Sequence, residues 1–266
     1  MLQIMLLLVS GVFAGVMAGM LGVGGGIIYV PAIAYILSFK QIDANAIPLV
    51  AVSTSLSIIL VSITGSLTRH WKNKFIKPDV LLYIGIGGAL GILPAYYQLS
   101  SISADHFNLL FFTLLLLVGA KFIFNQAKIS SSFQINKNRQ LFLVLAGLLA
   151  GLVSTFFGVG GGIIIVPILF YFFQIKMSQA IGTSSGFIFL IALLNVLLYI
   201  INPSSPEISQ SIGSIYLPAF LTILPTAFIF NRIGANFTFS LNPIHLTRYF
   251  GIFLIIIAVY RISSLI

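Results

Sequence analysis

Gly22 to Pro31 reads GVGGGIIYVP, and Gly158 to Pro167 reads GVGGGIIIVP. Nine of the ten positions agree, at an offset of 136 residues. The offset extends upstream, where Gly11, Gly15 and Gly19 fall opposite Gly147, Gly151 and Thr155. Downstream, Ser53-Thr54-Ser55 lies 22 to 24 residues past Pro31, and Thr183-Ser184-Ser185 lies 16 to 18 past Pro167. We pair these two clusters as one element with a shorter connector in the second copy. Near the ends, His106 and Phe111 fall opposite His245 and Phe250 at offset 139, a weaker match. Self-similarity at a fixed offset is the mark of a duplicated unit. The chain therefore divides into a first half, 1–128, a polar linker, 129–139, and a second half, 140–266.

Composition says what is duplicated. Only 17 of the 266 residues are charged, 13 Lys or Arg and 4 Asp or Glu, while 59% are apolar. A soluble domain carries about 25% charged residues. So few charges cannot cover a surface in water. An ordinary soluble enzyme, a disordered chain and a nucleic-acid module are all excluded. The excess of +9 is spread thinly, and in an apolar chain such an excess marks cytoplasmic loops. There is no Cys, so a disulfide, thiol chemistry and a Cys metal site are impossible. Three His and four scattered carboxylates leave no metal cluster and imply no cofactor.

The uncharged runs are too long for core helices. Thirty residues separate Lys176 from Glu207, and 36 separate Arg139 from Lys176. About 20 apolar residues span a bilayer as a helix. Strict alternation is absent, which excludes an outer-membrane barrel. The N-terminus has no Lys or Arg ahead of its apolar run, unlike a signal peptide. The fold expected is all-α: a polytopic helical membrane protein of about five segments per half. These are about 4–20, 27–39, 46–66, 80–98 and 107–125, then 141–157, 163–174, 180–200, 215–231 and 245–262. The second segment of each half has 12 or 13 residues. At 1.5 Å per residue it falls short of the roughly 30 Å core, and so forms a re-entrant hairpin or a tilted pair.

An odd number of segments per half inverts the second copy. Loop 67–79 holds Arg69, Lys72, Lys74 and Lys77, and is placed inside by the positive-inside rule. Its repeat equivalent, 202–214, has Pro203, Pro206, Glu207 and no base, and falls outside. Continuing the count puts 11 of the 13 basic residues inside, with Lys40 and Arg261 outside. Both termini are expected on the outer face. Inverted repeats of this kind are common in secondary transporters.

The glycine runs carry the candidate chemistry. Gly24-Gly25-Gly26 and Gly160-Gly161-Gly162 permit turns with positive φ and expose the N–H groups that open the next helix. Those groups carry the positive end of the helix dipole and bind anions. With inverted halves the two turns approach from opposite faces and form one anion site between the repeats. Pro31 and Pro167, five residues on, either sit in the first turns of the short helices or kink them. Irregular backbone at membrane depth is tolerated where it is buried or lines a cavity. Gly11, Gly15 and Gly19 have the small-xxx-small spacing of close helix packing. The hydroxyls of Ser53, Thr54, Thr183 and Ser184 are candidate donors to an anion; bonding to their own i−4 carbonyls is the alternative. No Asp, Glu, Lys or Arg lies mid-span. Arg69, Lys121, Arg232 and Arg248 sit at span ends, where long cations snorkel. His70, His106 and His245, Trp71 and the pair Tyr96-Tyr97 read as interfacial. A membrane enzyme would need a Ser–His, Asp–Asp or His-metal set at depth. None is present, so no catalytic residues are assigned.

At the doubled GVGGG…P motif the chain resembles the TauE/SafE family of membrane transporters, also called sulfite exporters. The matching residues are Gly22, Gly24, Gly25, Gly26, Pro31, Gly158, Gly160, Gly161, Gly162 and Pro167, with Thr54 and Thr183 looser. The resemblance covers nearly the whole chain. It implies an inner-membrane permease for small sulfur-containing anions such as sulfite or organosulfonates. The expectation is therefore an inner-membrane anion transporter whose partners are that anion and the lipid bilayer, working by alternating access around the two glycine turns. A homo-oligomer is compatible with it. The alternative is an accessory or scaffold subunit without transport of its own. Direction of flux and coupling ion are not encoded in these features.

Overall fold

A computed structural model describes residues 2–40, 42–124, 137–202 and 209–237, with scattered positions between 248 and 259. Most of linker 129–139, and with it Lys128, lies outside the described residues. So do Pro203, Pro206, Glu207, His245, Phe250, Arg261 and most of the expected last segment. The rest is almost wholly helical. In half one, α1 is Leu2–Leu21, α2 Gly26–Leu37, α3 Ile47–Ser62, α4 Thr64–Lys72, α5 Pro78–Ser101 and α6 Ala104–Phe124. In half two, α7 is Lys137–Phe157, α8 Gly162–Pro167, α9 Met177–Ile201 and α10 Leu217–Phe237. Among the described residues, six stretches are long and apolar enough to cross a bilayer: α1, the α3–α4 run Ala44–Lys72, α5, α7, α9 and α10. Large apolar side chains such as Leu82, Leu90, Leu149 and Leu221 stand outward. A chain this poor in charge presents them to lipid.

The short second segments are as expected, but differ from each other. α2 runs 12 residues through Pro31. α8 ends at Pro167, and a π turn, Ile168–Phe172, continues it. A proline withholds one N–H from the helical ladder. In α8 the ladder widens after that gap, with Phe173 N–H bonding Ile168 O at 3.3 Å. One small element is not helical: Ser211–Ile212 pairs antiparallel with Ile215–Tyr216 in a tight hairpin before α10.

The two halves are interlaced. The first helix of each packs along a long later helix of the other, α1 on α10 and α7 on α5. Glycines allow it. A Cβ at Gly11 would fall on the Thr226 hydroxyl, at Gly15 within 2.8 Å of Ala227 O, and at Gly19 on Asn231 O. In the second pair, Gly147 meets Ile84 O and Gly151 meets Gly88 O. The small-residue stripe is thus a packing seam. Within lipid, apolar burial drives helix association weakly, so such close contact supplies much of the attraction. α3 and α9 lie together at the centre. α3 is buried on nearly every face, Leu49 to Ile59.

Candidate functional site

The two glycine turns meet. Gly22, Gly24 and Gly25 have φ of 66°, 90° and 81°; Gly158, Gly160 and Gly161 have 69°, 85° and 74°. Side-chain-bearing residues rarely adopt this region, so the repeated glycines are a backbone requirement. Gly25 and Gly161 sit at the N-cap positions of α2 and α8. A Cβ at Gly24 would lie 2.7 Å from Val159 O, and one at Gly160 3.5 Å from the Gly24 Cα. A Cβ at Gly26 would collide with Gly158 O, and one at Gly162 with Gly22 O. The turns cross back to back, fully buried, and bring two helix starts to one point. The first N–H groups of each helix have no acceptor one turn earlier in their own helix.

The hydroxyl clusters hold this crossing together. Ser55 Oγ donates to Gly158 O at 2.8 Å, and Ser184 Oγ donates to Gly22 O at 3.0 Å. Each half thereby grips the first glycine of the other half's turn. Thr54 Oγ1 accepts from Tyr216 N–H at 2.9 Å, and Thr183 Oγ1 accepts from Lys77 N–H at 3.0 Å. These are the residues that lead into α10 and α5. Equivalent partners align Thr54 with Thr183 and Ser55 with Ser184. Within the two clusters that the sequence pairs as one element, Thr54 and Thr183 therefore stand at the same position. Thr54 donates to Val50 O at 2.6 Å, and Ser53 reaches Ser214 O at 2.5 Å. The protons of Ser53, Thr54, Ser55 and Ser184 are thus directed at backbone carbonyls. Ser55→Ala and Ser184→Ala each strand a buried carbonyl, and each is expected to cost about 1–3 kcal/mol. Ser185, bonded only within its own helix to Ile181 O, is the control. Thermal unfolding in detergent measures the difference.

Other hydroxyls at the turns have no partner. Tyr29 OH is buried and unbonded, as is Ser154 Oγ. The Tyr29 ring lies 2.9 Å from the Cβ position of Gly25, and Ser154 Cβ lies 3.3 Å from that of Gly161. Sequence reasoning missed both. A signal existed for the first, because Tyr29 is the position where the two ten-residue motifs differ, against Ile165. Ser154 stands opposite Ala18.

Pro31 lines a cleft of about 290 Å³ that opens between α2, α3 and α6, with Tyr35, Pro48, Asp105 and Asn108 in its wall. Pro167 is buried in the helix it ends. Two interfacial expectations are corrected. His70 is completely buried, because α4 packs under α9 and α10 instead of facing the interface. Tyr96 is buried against Tyr199 at 5.5 Å and donates to Asn202 O, while Tyr97 is exposed. Trp71 is exposed, as expected. Among the described residues no three His or carboxylates gather as a metal site.

These features define a polytopic helical membrane protein in which two glycine turns of like sequence bring paired helix starts together. The sulfite exporter TauE/SafE family model matches residues 7–261, and the chain belongs to that family. A probable membrane transporter protein of Haemophilus influenzae is 32% identical, over 96% of this chain and 97% of its own. Probable membrane transporter proteins of Methanocaldococcus jannaschii and Bacillus subtilis (YunE) are 26% and 24% identical. Those alignments cover 92% and 88% of this chain, and 90% and 88% of the relatives. No solved structure matches. The family and these relatives are transporters, not enzymes.

Proposed function

We propose that this protein carries a small anion, a sulfur oxyanion or organosulfonate, across the inner membrane by alternating access between inverted halves. The observation that carries the reading is the junction of two helix starts from opposite halves, each beside a buried hydroxyl without a partner. Dipole ends and hydroxyls can replace the water around an anion without a fixed Lys or Arg. A site lacking full charges releases as well as binds. Gly24, Gly25, Gly26, Gly160, Gly161 and Gly162 supply backbone, and Tyr29 and Ser154 supply donors. Ser55 and Ser184 hold the two turns together in this conformation, Ser53, Thr54 and Thr183 fasten the segments that lead into α10 and α5, and release of the serine and Thr54 hydroxyls during exchange between states would free donors. Pro31 and Pro167 set where each short helix yields. Asp105 in the wall of the Pro31 cleft repels anions, so the cleft is not where the anion rests.

The test is flux into proteoliposomes of the purified protein, with sulfite, thiosulfate, sulfonates and carboxylates, with and without a proton gradient. Uptake of a sulfur anion by the protein alone supports the reading. No uptake of any solute favours the accessory-subunit alternative. Tyr29→Phe and Ser154→Ala remove one oxygen each. Each is expected to lower anion flux about tenfold, the worth of roughly 1.4 kcal/mol, with thermal stability unchanged. Unchanged flux in both would remove these hydroxyls from the site.

A further inference from the structure

The halves differ where α4 and α9 end, and the difference assigns a second polar site. The equivalence of the halves is fixed there by three matches. Phe75 N–H bonds His70 O at 3.0 Å, as Ser214 N–H bonds Tyr199 O at 3.4 Å. Lys74 and Gly213 both have left-handed backbone, φ 56° and 58°. Thr54 and Thr183 stand in matching bonds, as above. His70 is therefore the counterpart of Tyr199.

At the end of α9, Tyr199 packs its ring, tilted, against Tyr96 and donates to Thr155 O at 3.2 Å. The counterparts of Tyr96 and Thr155 are Ala235 and Gly19, which pack together: a Cβ at Gly19 would lie 2.8 Å from Ala235 N and would fall on Asn231 O. Bulky Tyr, Tyr and Thr are thus replaced by His, Ala and Gly. By that equivalence His70 is directed toward the Ala235–Asn231 stretch of α10, on which α4 packs. His70 and Asn231 are both fully buried, and both ring nitrogens and both amide atoms lack partners. Arg69 Nε is buried and unpartnered as well. Arg69 lies one helical turn past Gly65, whose Cβ position is 3.4 Å from the Arg232 Cβ, so it faces α10. The sequence puts no carboxylate on α1, α3, α4, α9 or α10. A neutral imidazole offers one N–H donor, an amide two, and a guanidinium Nε one. The junction holds buried donors with no acidic partner.

We propose that His70, Asn231 and Arg69 form an anion subsite at the α4–α10 junction, separate from the glycine crossing and nearer the basic loop. It takes the same class of oxyanion as the transport site, by hydrogen-bond donation backed by a guanidinium charge. It exists at the α4–α10 junction alone, because at the equivalent α9–α5 junction the Tyr96 and Tyr199 rings fill the place. The proposal rests on the transport reading.

The probe is sulfite, in equilibrium binding to the purified full-length protein and in proteoliposome flux. Asn231→Asp keeps the shape and adds an acceptor where donors are needed. His70→Phe removes the ring donors, and His70→Gln restores an N–H. Asn231→Asp and His70→Phe are expected to weaken sulfite binding about tenfold, and His70→Gln to regain most of it. Thermal stability of Asn231→Asp and His70→Gln near that of the parent separates binding from folding. Parent-like binding in Asn231→Asp and His70→Phe, with normal flux in the parent, overturns the subsite alone. A parent protein that neither binds nor moves any anion overturns the transport reading and the subsite with it.

Discussion

Gly26→Ala and Gly162→Ala are expected to destabilise the protein by about 3 kcal/mol each, enough to remove most folded material from detergent extracts. One methyl at either position enters the backbone of the opposite turn, at Gly158 O or Gly22 O. Backbone cannot swing aside as a flexible side chain can. Overpacking of a rigid interior costs about 1–3 kcal/mol. The cost here lies at the upper end, because the two halves are joined at this point. Gly85→Ala is the contrast. Its nearest neighbour is Leu190 Cδ1 at 3.8 Å, ordinary van der Waals contact, and it sits inside helix α5. Alanine in a helix interior is favoured over glycine by about 1 kcal/mol. That variant should match or exceed the parent in thermal unfolding. Equal stability of all three variants would mean that the turns do not meet.

Labelling from opposite sides of the membrane is the second large effect, and it is all-or-none. The chain has no cysteine, so single cysteines can be introduced without further engineering. Asn73→Cys lies in the basic loop and Ser209→Cys in its repeat equivalent, and both positions are exposed. With inverted halves, a membrane-impermeant maleimide added to intact cells labels S209C at once, and N73C only after permeabilisation. Labelling of both from the same side would end the inverted-repeat reading and, with it, the placement of 11 basic residues inside. The expectation rests on charge. Four bases stand in 67–79, at the end of α4 and in the loop after it, and none in 202–214, and retained Lys and Arg set orientation.

Much of this was legible before any coordinates. Glycine at Gly22, Gly24 and Gly25 is demanded by positive φ, so a helix–turn–helix break could be placed to the residue from local chemistry. Span lengths followed from apolar runs, because the bilayer fixes helix length. The packing role of Gly11, Gly15 and Gly19 followed from spacing along one helix face. The hydroxyl clusters were visible, but their use was not. Ser55 bonds Gly158, 103 residues away, and no local pattern specifies such a partner. Thr54 and Thr183 match by residue type in the sequence, but that each accepts from the residue before α10 or α5 is a relation between distant segments. His70 read as interfacial because it follows Arg69 and precedes Trp71. Its burial depends on α9 and α10 folding over α4.

The sequence by itself determined a duplicated, charge-poor helical membrane protein with two glycine turns, since composition, span length and backbone conformation are local properties. Only the tertiary structure decided that α1 packs on α10 and α7 on α5. It alone set the turns back to back with their hydroxyls spent on each other's carbonyls, and left Tyr29, Ser154, His70 and Asn231 buried without partners. Those are relations between segments far apart in the chain. A polar atom's partner, or the lack of one, exists only once the helices that surround it have packed.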